Sequence, residues 1–230
     1  MLIGDFMVNL LAFIFPPRCI FCGALLSPSV NLEVCGSCYE KIPFLSDDAS
    51  GVFNQTLLNS CCDDIICVCE YSGIIKESLK RFKFYNKASY HRTFARLLAD
   101  KVKKMTKSRN FDIIVSVPLY KDKERARGYN QARLISKLLS RYTGMKEHSQ
   151  LLSRVRDTGS QSLIHAREQR YKNIKDAFKV NDIDGVKGKS LIIVDDILTT
   201  GFTIGECSRV LKEAGAREIV AAVIASGRKF

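Results

Sequence analysis

No apolar run in this chain is long enough to cross a bilayer. The strongest candidate, residues 1–15, is interrupted by Asp5, has no basic start and is ended by Pro16-Pro17. A secretory signal opens on positive charge, so the stretch reads as a short helix packed on the protein. Lying on a membrane surface is its other reading, which leaves peripheral membrane association open. The three histidines, His91, His148 and His165, have no ligand spacing and no catalytic partner in sequence, so they are read as surface or packing residues. No internal repeat or low-complexity tract is present, which excludes solenoid and array architectures.

What remains is an ordinary globular composition with an unusual charge. At 230 residues the chain can bury one good core and carry a small appended module. The net charge of +12 is unevenly spread. Residues 1–75 hold 2 basic and 8 acidic side chains, residues 76–109 hold 12 and 2, and residues 121–175 hold 14 and 5. Positive charge therefore sits mid-chain, which suits a polyanion or a ligand with several phosphates. A solvated basic helix face would give the same pattern.

Cysteine is plentiful, and its spacing is informative. Cys19-x-x-Cys22 and Cys35-x-x-Cys38 are two knuckles that can aim four thiolates at one ion, a closed tetrahedral site for structural Zn²⁺. Paired cysteines without a secretory signal point to the reducing cytoplasm and to metal rather than disulfides. Iron–sulfur ligation is the weaker alternative. Cys61, Cys62, Cys67 and Cys69 are irregularly spaced and read as buried thiols, with a second metal site as the alternative. Cys67 and Cys69 share one face of the expected strand 65–71. Cys207 falls on a helical apolar stripe and reads as core.

Strands and helices alternate along the rest. Strands are expected at 65–71, 112–117, 189–195 and 218–224, with helices at 73–82, 87–105, 128–142 and 167–173. The helix at 87–105 carries Phe94, Leu97, Leu98, Val102 and Met105 on one face. Residues 43–64 read as a linker and 153–161 as a flexible polar loop. The pattern predicts an α/β fold with a mostly parallel sheet flanked by helices. Boundaries follow: a helix and four-cysteine zinc module over 1–45, a linker over 46–64 and the α/β domain over 65–230.

The most specific stretch is Leu191-Ile192-Ile193-Val194-Asp195-Asp196-Ile197-Leu198-Thr199-Thr200-Gly201-Phe202-Thr203. A doubly buried strand enters two acids and a Thr-Thr-Gly turn, after which Ile204, Cys207 and Leu211 repeat at helical intervals. A helix amino terminus there favours phosphate. Gly201 allows close backbone approach, and Thr199, Thr200 and Thr203 offer hydroxyls. Asp195 and Asp196 would repel bare phosphate but accept from ribose hydroxyls or bind Mg²⁺. 5-Phosphoribosyl-1-pyrophosphate (PRPP) combines all three chemistries. No Gly-Lys-Ser/Thr follows this turn, so it is not a Walker A loop.

The stretch resembles the PRPP-binding loop of type I phosphoribosyltransferases. That resemblance implies the matching fold, a 5′-phosphate held by residues 197–203 and ribose held by Asp195 and Asp196. It also implies a pyrophosphate loop at Val117-Pro118-Leu119, with a strained or cis peptide near Leu119 and Tyr120; a plain strand-ending proline is the other reading.

Taken with the four-cysteine module, the block Arg125-Ala126-Arg127-Gly128-Tyr129-Asn130-Gln131 and the block Lys80-Arg81-Phe82-Lys83-Phe84, the chain resembles the ComF family of competence-associated, phosphoribosyltransferase-like proteins. Gln161-Ser162-Leu163, Arg167, Arg170 and Asn173 match a further block, where related enzymes carry a closing loop; His165 lies beside it. The resemblance implies Arg125 and Arg127 on pyrophosphate, and a cytoplasmic role in natural transformation. That role is receipt of single-stranded DNA and its delivery to helicase or recombination proteins. Lys80, Arg81, Lys83, Arg125 and Arg127 are the candidate DNA contacts, interleaved with Phe82, Phe84, Tyr85 and Tyr90. Transfer of phosphoribose from PRPP to an unidentified acceptor is the alternative, and whether the chain is an enzyme stays open. From residue type alone, Asn130 and Gln131 also fit a role as helix caps.

Overall fold

A computed structural model describes residues 16–46, 61–158 and 173–227. The expected amino-terminal helix, most of the linker, His165 and the block at 161–170 lie outside the described residues.

Five strands form a parallel sheet: β1 (Asp64–Glu70), β2 (Ile113–Ser116), β3 (Lys146–Glu147), β6 (Ser190–Leu198) and β7 (Glu218–Ser226). Their order is β1-β7-β6-β2-β3. A separate antiparallel pair, β4 (Leu152–Arg154) and β5 (Phe178–Val180), lies between β3 and β6 in sequence. The helices are α1 (Gly36–Tyr39), α2 (Gly73–Phe84), α3 (His91–Met105), α4 (Lys121–Arg127), α5 (Gln131–Thr143) and α6 (Phe202–Glu213).

Side-chain alternation explains why β6 and β7 read as unbroken aliphatic runs. Leu191, Ile193, Ile219, Ala221 and Val223 pack with Ile204, Cys207 and Leu211 of α6. Ile192, Val194, Val220, Ala222 and Ile224 pack on the other side with Leu79, Phe82, Phe94, Leu98, Ile135 and Leu139 from α2, α3 and α5. Both faces are covered, so Leu191 to Val194 and Ile219 to Ala225 are aliphatic at every position.

The sheet order fixes where a ligand can sit. After β2 the chain crosses outward to β3; after β6 it crosses the other way to β7. The two connections part at the carboxyl ends of adjacent strands, which opens a crevice between β2 and β6.

Several expected boundaries shift for local reasons. β6 runs past Asp195 to Leu198, so both acids are strand residues whose side chains alternate in direction. The expected helix at 128–142 starts three residues later, as α5, and the unexpected short helix α4 precedes it. Gly128, at φ 83°, ends α4, and Asn130 caps α5. Ser153 and Arg154, expected in a polar loop, pair with β5. Cys67 and Cys69, expected on one face, pack into different layers. Burial pushes the thiols of Cys62 and Cys67 up to about 11 and 12, as expected of inert core cysteines.

The cysteine module is docked rather than tethered. Ile20, Phe21 and Ile42 are buried in the same layer as α2 and α3. Phe44 bridges Cys69 in antiparallel sense, and Leu45 N–H donates to Val68 O at 3.0 Å, extending the sheet beyond β1. Arg92 pairs with Glu33 at 2.6 Å. The three apolar anchors contribute ~1.5–3 kcal/mol each relative to exposure.

Candidate functional site

The four cysteine sulfurs of residues 19, 22, 35 and 38 lie within 4.8 Å of one another. Cys22 and Cys35 Sγ stand 3.7 Å apart. Thiolates tetrahedral about zinc at ~2.3 Å are about 3.8 Å apart, so the cage fits this ion. Burial opposes ionisation of Cys19, but backbone N–H groups of Cys22, Cys35 and Phe21 aimed at its sulfur outweigh it and lower the thiol to about 6. Burial pushes Cys38 up to about 12, a penalty that a bound dication offsets.

The crevice above β2 and β6 is a cleft of ≈ 1200 Å³. Among the described residues, Lys80, Lys83, Lys123, Arg125, Arg127 and Arg154 line it, against Asp195 and Asp196. Six cations around two carboxylates make a site for a polyanion that also presents donors to the acids. Thr199 and Thr203 line the same cleft. Gly201, at φ 84°, turns the chain into α6, where a side chain would be strained. The first turn of α6 contains no acid to compete with an anion for its positive end.

The acids are half engaged. Asp196 is 4% exposed, and its Oδ1 accepts from Lys83 Nζ at 2.9 Å. Its Oδ2 is buried with no partner among the described residues. Asp195 Oδ1 accepts from the Asp196 N–H at 2.8 Å. Burial first, then the Asp196 charge, push the Asp195 carboxyl up to about 7; Lys83, the Asp196 N–H and Arg154 pull the other way without cancelling this. An orphaned carboxylate oxygen beside a proton-hungry neighbour suits a dication or a pair of hydroxyl donors. The donor set therefore fits Mg²⁺ carried with a ligand.

The arginine block does two things. Arg125 and Arg127 stand at the cleft, with Arg127 donating to Gln131 Oε1 at 2.8 Å. Asn130 and Gln131 also line the cleft, and with Tyr129 they hold its walls together. Tyr129 Oη donates to Phe82 O at 2.5 Å, and Asn130 Nδ2 donates to Val117 O at 3.0 Å. Asn130 Oδ1 also accepts from the Arg133 N–H, the capping role left open above. Val117 and Leu119 line the cleft, but no peptide among the described residues is cis, and no non-glycine residue near Leu119 has positive φ. The cis form of the expected bond is therefore not found there, and β2 ends at Ser116, two residues before Pro118.

The basic segment splits. Lys80 and Lys83 face the cleft, while Arg81 Nη2 donates to Phe21 O at 3.1 Å and so grips the cysteine module. Phe82 and Tyr90 are buried, whereas Phe84 and Tyr85 are exposed. Arg154 escaped the sequence reading. It lines the cleft, stacks over Phe178 at 5.4 Å, and burial pulls its guanidinium down. A lone arginine at the end of a three-residue strand carries no motif that would expose it.

Residues 128–229 match the family model described as the phosphoribosyl transferase domain, and residues 10–52 match the double zinc ribbon domain. The chain is 29% identical over 218 residues to Competence protein F of Haemophilus influenzae, covering 88% of this chain and 93% of that one. It is 33% identical over 158 residues to the DNA utilization protein YhgH of Salmonella typhimurium, covering 67% and 68%. The chain belongs to the ComF family. Another ComF relative, Competence protein ComFC of Bacillus subtilis, is 28% identical over 145 residues, 63% of this chain and 56% of that one. Among solved structures, a purine phosphoribosyltransferase from Pyrococcus horikoshii aligns at 19% identity and a TM-score of 0.38, over 59% of this chain and 72% of that one. This ComF chain joins a type I phosphoribosyltransferase-like sheet to a cysteine ribbon, and α2, with Lys80 and Lys83, lies outside the matched transferase segment. No helix among the described residues is long and apolar enough to cross a membrane.

Proposed function

We propose that this ComF protein binds Mg²⁺-PRPP in the β2–β6 cleft and handles single-stranded DNA during natural transformation in the cytoplasm. The observation that carries the first half is the acid pair at the end of β6, inside a cleft where, among the described residues, Asp196 Oδ2 has no partner and six cations line the walls. Asp195 and Asp196 would take the ribose hydroxyls and the metal's outer shell. The 197–203 turn would take the 5′-phosphate, and Arg125, Arg127 and Lys123 the pyrophosphate, with the 117–119 loop beneath it. Mg²⁺, when bound, neutralises pyrophosphate charge. Lys83 must leave Asp196 as the ligand enters and can then turn to phosphate. The second half is supported by the relatives' printed roles in competence and DNA utilization, and by Lys80 and Lys83 of α2 at the cleft.

An active phosphoribosyltransferase is the second reading. An acceptor's lone pair would form the bond to the ribose anomeric carbon as the bond to pyrophosphate breaks, and the chain would act by positioning and charge stabilisation. Its support is the same cleft.

Calorimetric titration with Mg²⁺-PRPP tests the first half. Asp195→Asn with Asp196→Asn is expected to abolish the heat of binding, and retained binding contradicts the assignment. A gel-shift assay across a salt series tests the second, with Lys80→Ala and Lys83→Ala weakening the strand and flattening its salt dependence. Pyrophosphate release across a panel of acceptors separates transferase from binding protein.

A further inference from the structure

α2 ends at the mouth of the cleft, and its last residue is an aromatic on the helix's exposed side. Phe82 is fully buried, while Phe84, two positions on, is 69% exposed and lines the cleft. Scattered surface aromatics are common. This one is different because its surroundings hold it in place: the Arg127 guanidinium stands over its ring at 5.5 Å, and Arg127 is itself fixed by Gln131. A cation-backed ring with an open face is a stacking platform.

The cleft also has space to spare. Pockets for one small ligand run to ~300–1,000 Å³, and this one reaches ≈ 1200 Å³. The acids and the α6 turn lie toward the sheet, and Phe84 lies at the rim. A sugar bearing phosphates offers no flat apolar face, so the donor has no use for this ring. A planar heterocycle does.

We propose that Phe84, backed by Arg127, forms a stacking subsite for a nucleobase at the mouth of the cleft, beside the phosphoribosyl donor. The inference rests on the cleft being the PRPP site. The base can belong to a free purine or pyrimidine acceptor or to a residue of a single strand. Both present the same π-face and differ only in what is attached.

The test compares wild type, Phe84→Ala and Phe84→Tyr in the full chain. Four probes are titrated: oligothymidylate, an abasic deoxyribose-phosphate strand of equal length, adenine or uracil with Mg²⁺-PRPP present, and Mg²⁺-PRPP alone. Phe84→Ala is expected to weaken a base-bearing probe about 5- to 150-fold. Binding of the abasic strand and of Mg²⁺-PRPP should persist, and Phe84→Tyr should restore the lost affinity. A loss confined to oligothymidylate assigns the base to a strand; a loss confined to the free base assigns it to an acceptor. The subsite is overturned if Phe84→Ala binds every base-bearing probe like wild type, or if wild type binds none of them. The Mg²⁺-PRPP titration reports independently on the donor site, so the two failures are told apart. Because the ring is exposed, the alanine variant should melt like wild type, which a thermal scan checks.

Discussion

Removing the metal from the cysteine ribbon is expected to unfold residues 16–46 and to weaken ligand binding in a cleft that contains no cysteine ligand. Structural zinc supplies ~10–16 kcal/mol of apparent binding free energy to a short ribbon, far more than its few buried side chains can replace. The consequence reaches the cleft through α2. Arg81 grips the ribbon at Phe21 O, and within one turn of the same helix Lys80, Lys83 and Phe84 line the cleft. Glu33 and Leu45 add contacts to α3 through Arg92 and Lys101. Losing the ribbon removes the anchor of Arg81 and loosens the helix that supplies two of the six cations found among the described residues. Limited proteolysis with and without a chelator checks the first effect, and anion affinity in the same samples checks the second. Cys22→Ser with Cys35→Ser should reproduce both. Full protection of the ribbon in chelator, with an unchanged cleft, contradicts the coupling.

Asp195→Asn is expected to stabilise the protein at alkaline pH while destroying its ligand site. Burial and the neighbouring Asp196 charge push the Asp195 carboxyl from an ordinary 3.8 up to about 7. Between those values the folded protein holds a proton that the unfolded chain has released. Stability contributed at this position therefore falls as pH rises from about 4 to about 7, by about 1.4 kcal/mol for each unit of separation. Asparagine removes the titration. The variant should match wild type below pH ~4, where both side chains are neutral, and melt higher above pH ~7. Thermal melts at the two ends of this range measure the difference. A variant that melts lower than wild type at alkaline pH would show that Asp195 is stabilised as an anion. The sign is informative because a group kept at a cost to the fold is kept for its chemistry.

Much of this was legible in residue order. The aliphatic run before Asp195, the helical stripe after Gly201 and the two Cys-x-x-Cys knuckles each follow from a local period or spacing, and each appears in the structure where expected. Tertiary contacts were not legible. Lys83 and Arg81 are two residues apart and equally basic, yet one meets Asp196 and the other a ribbon carbonyl. Helical rotation separates them, and only the position of the ribbon decides which face is which. Nothing local to Tyr129 and Gln131 shows that both bond to Phe82 O. The carbonyl they serve lies almost fifty residues upstream in sequence. Arg154 was hidden because the short pair β4–β5 has no periodicity to read.

The central claim is that the cleft between β2 and β6 receives Mg²⁺-PRPP, with Lys83 yielding Asp196 to it. A crystal structure of the protein grown with Mg²⁺-PRPP tests this most directly. The expected density places the ribose hydroxyls on Asp195 and Asp196 and the 5′-phosphate against the Thr199–Gly201 turn, with Lys83 turned away from Asp196. Density elsewhere, or a cleft without ligand and Lys83 still on Asp196 at saturating concentration, would contradict it.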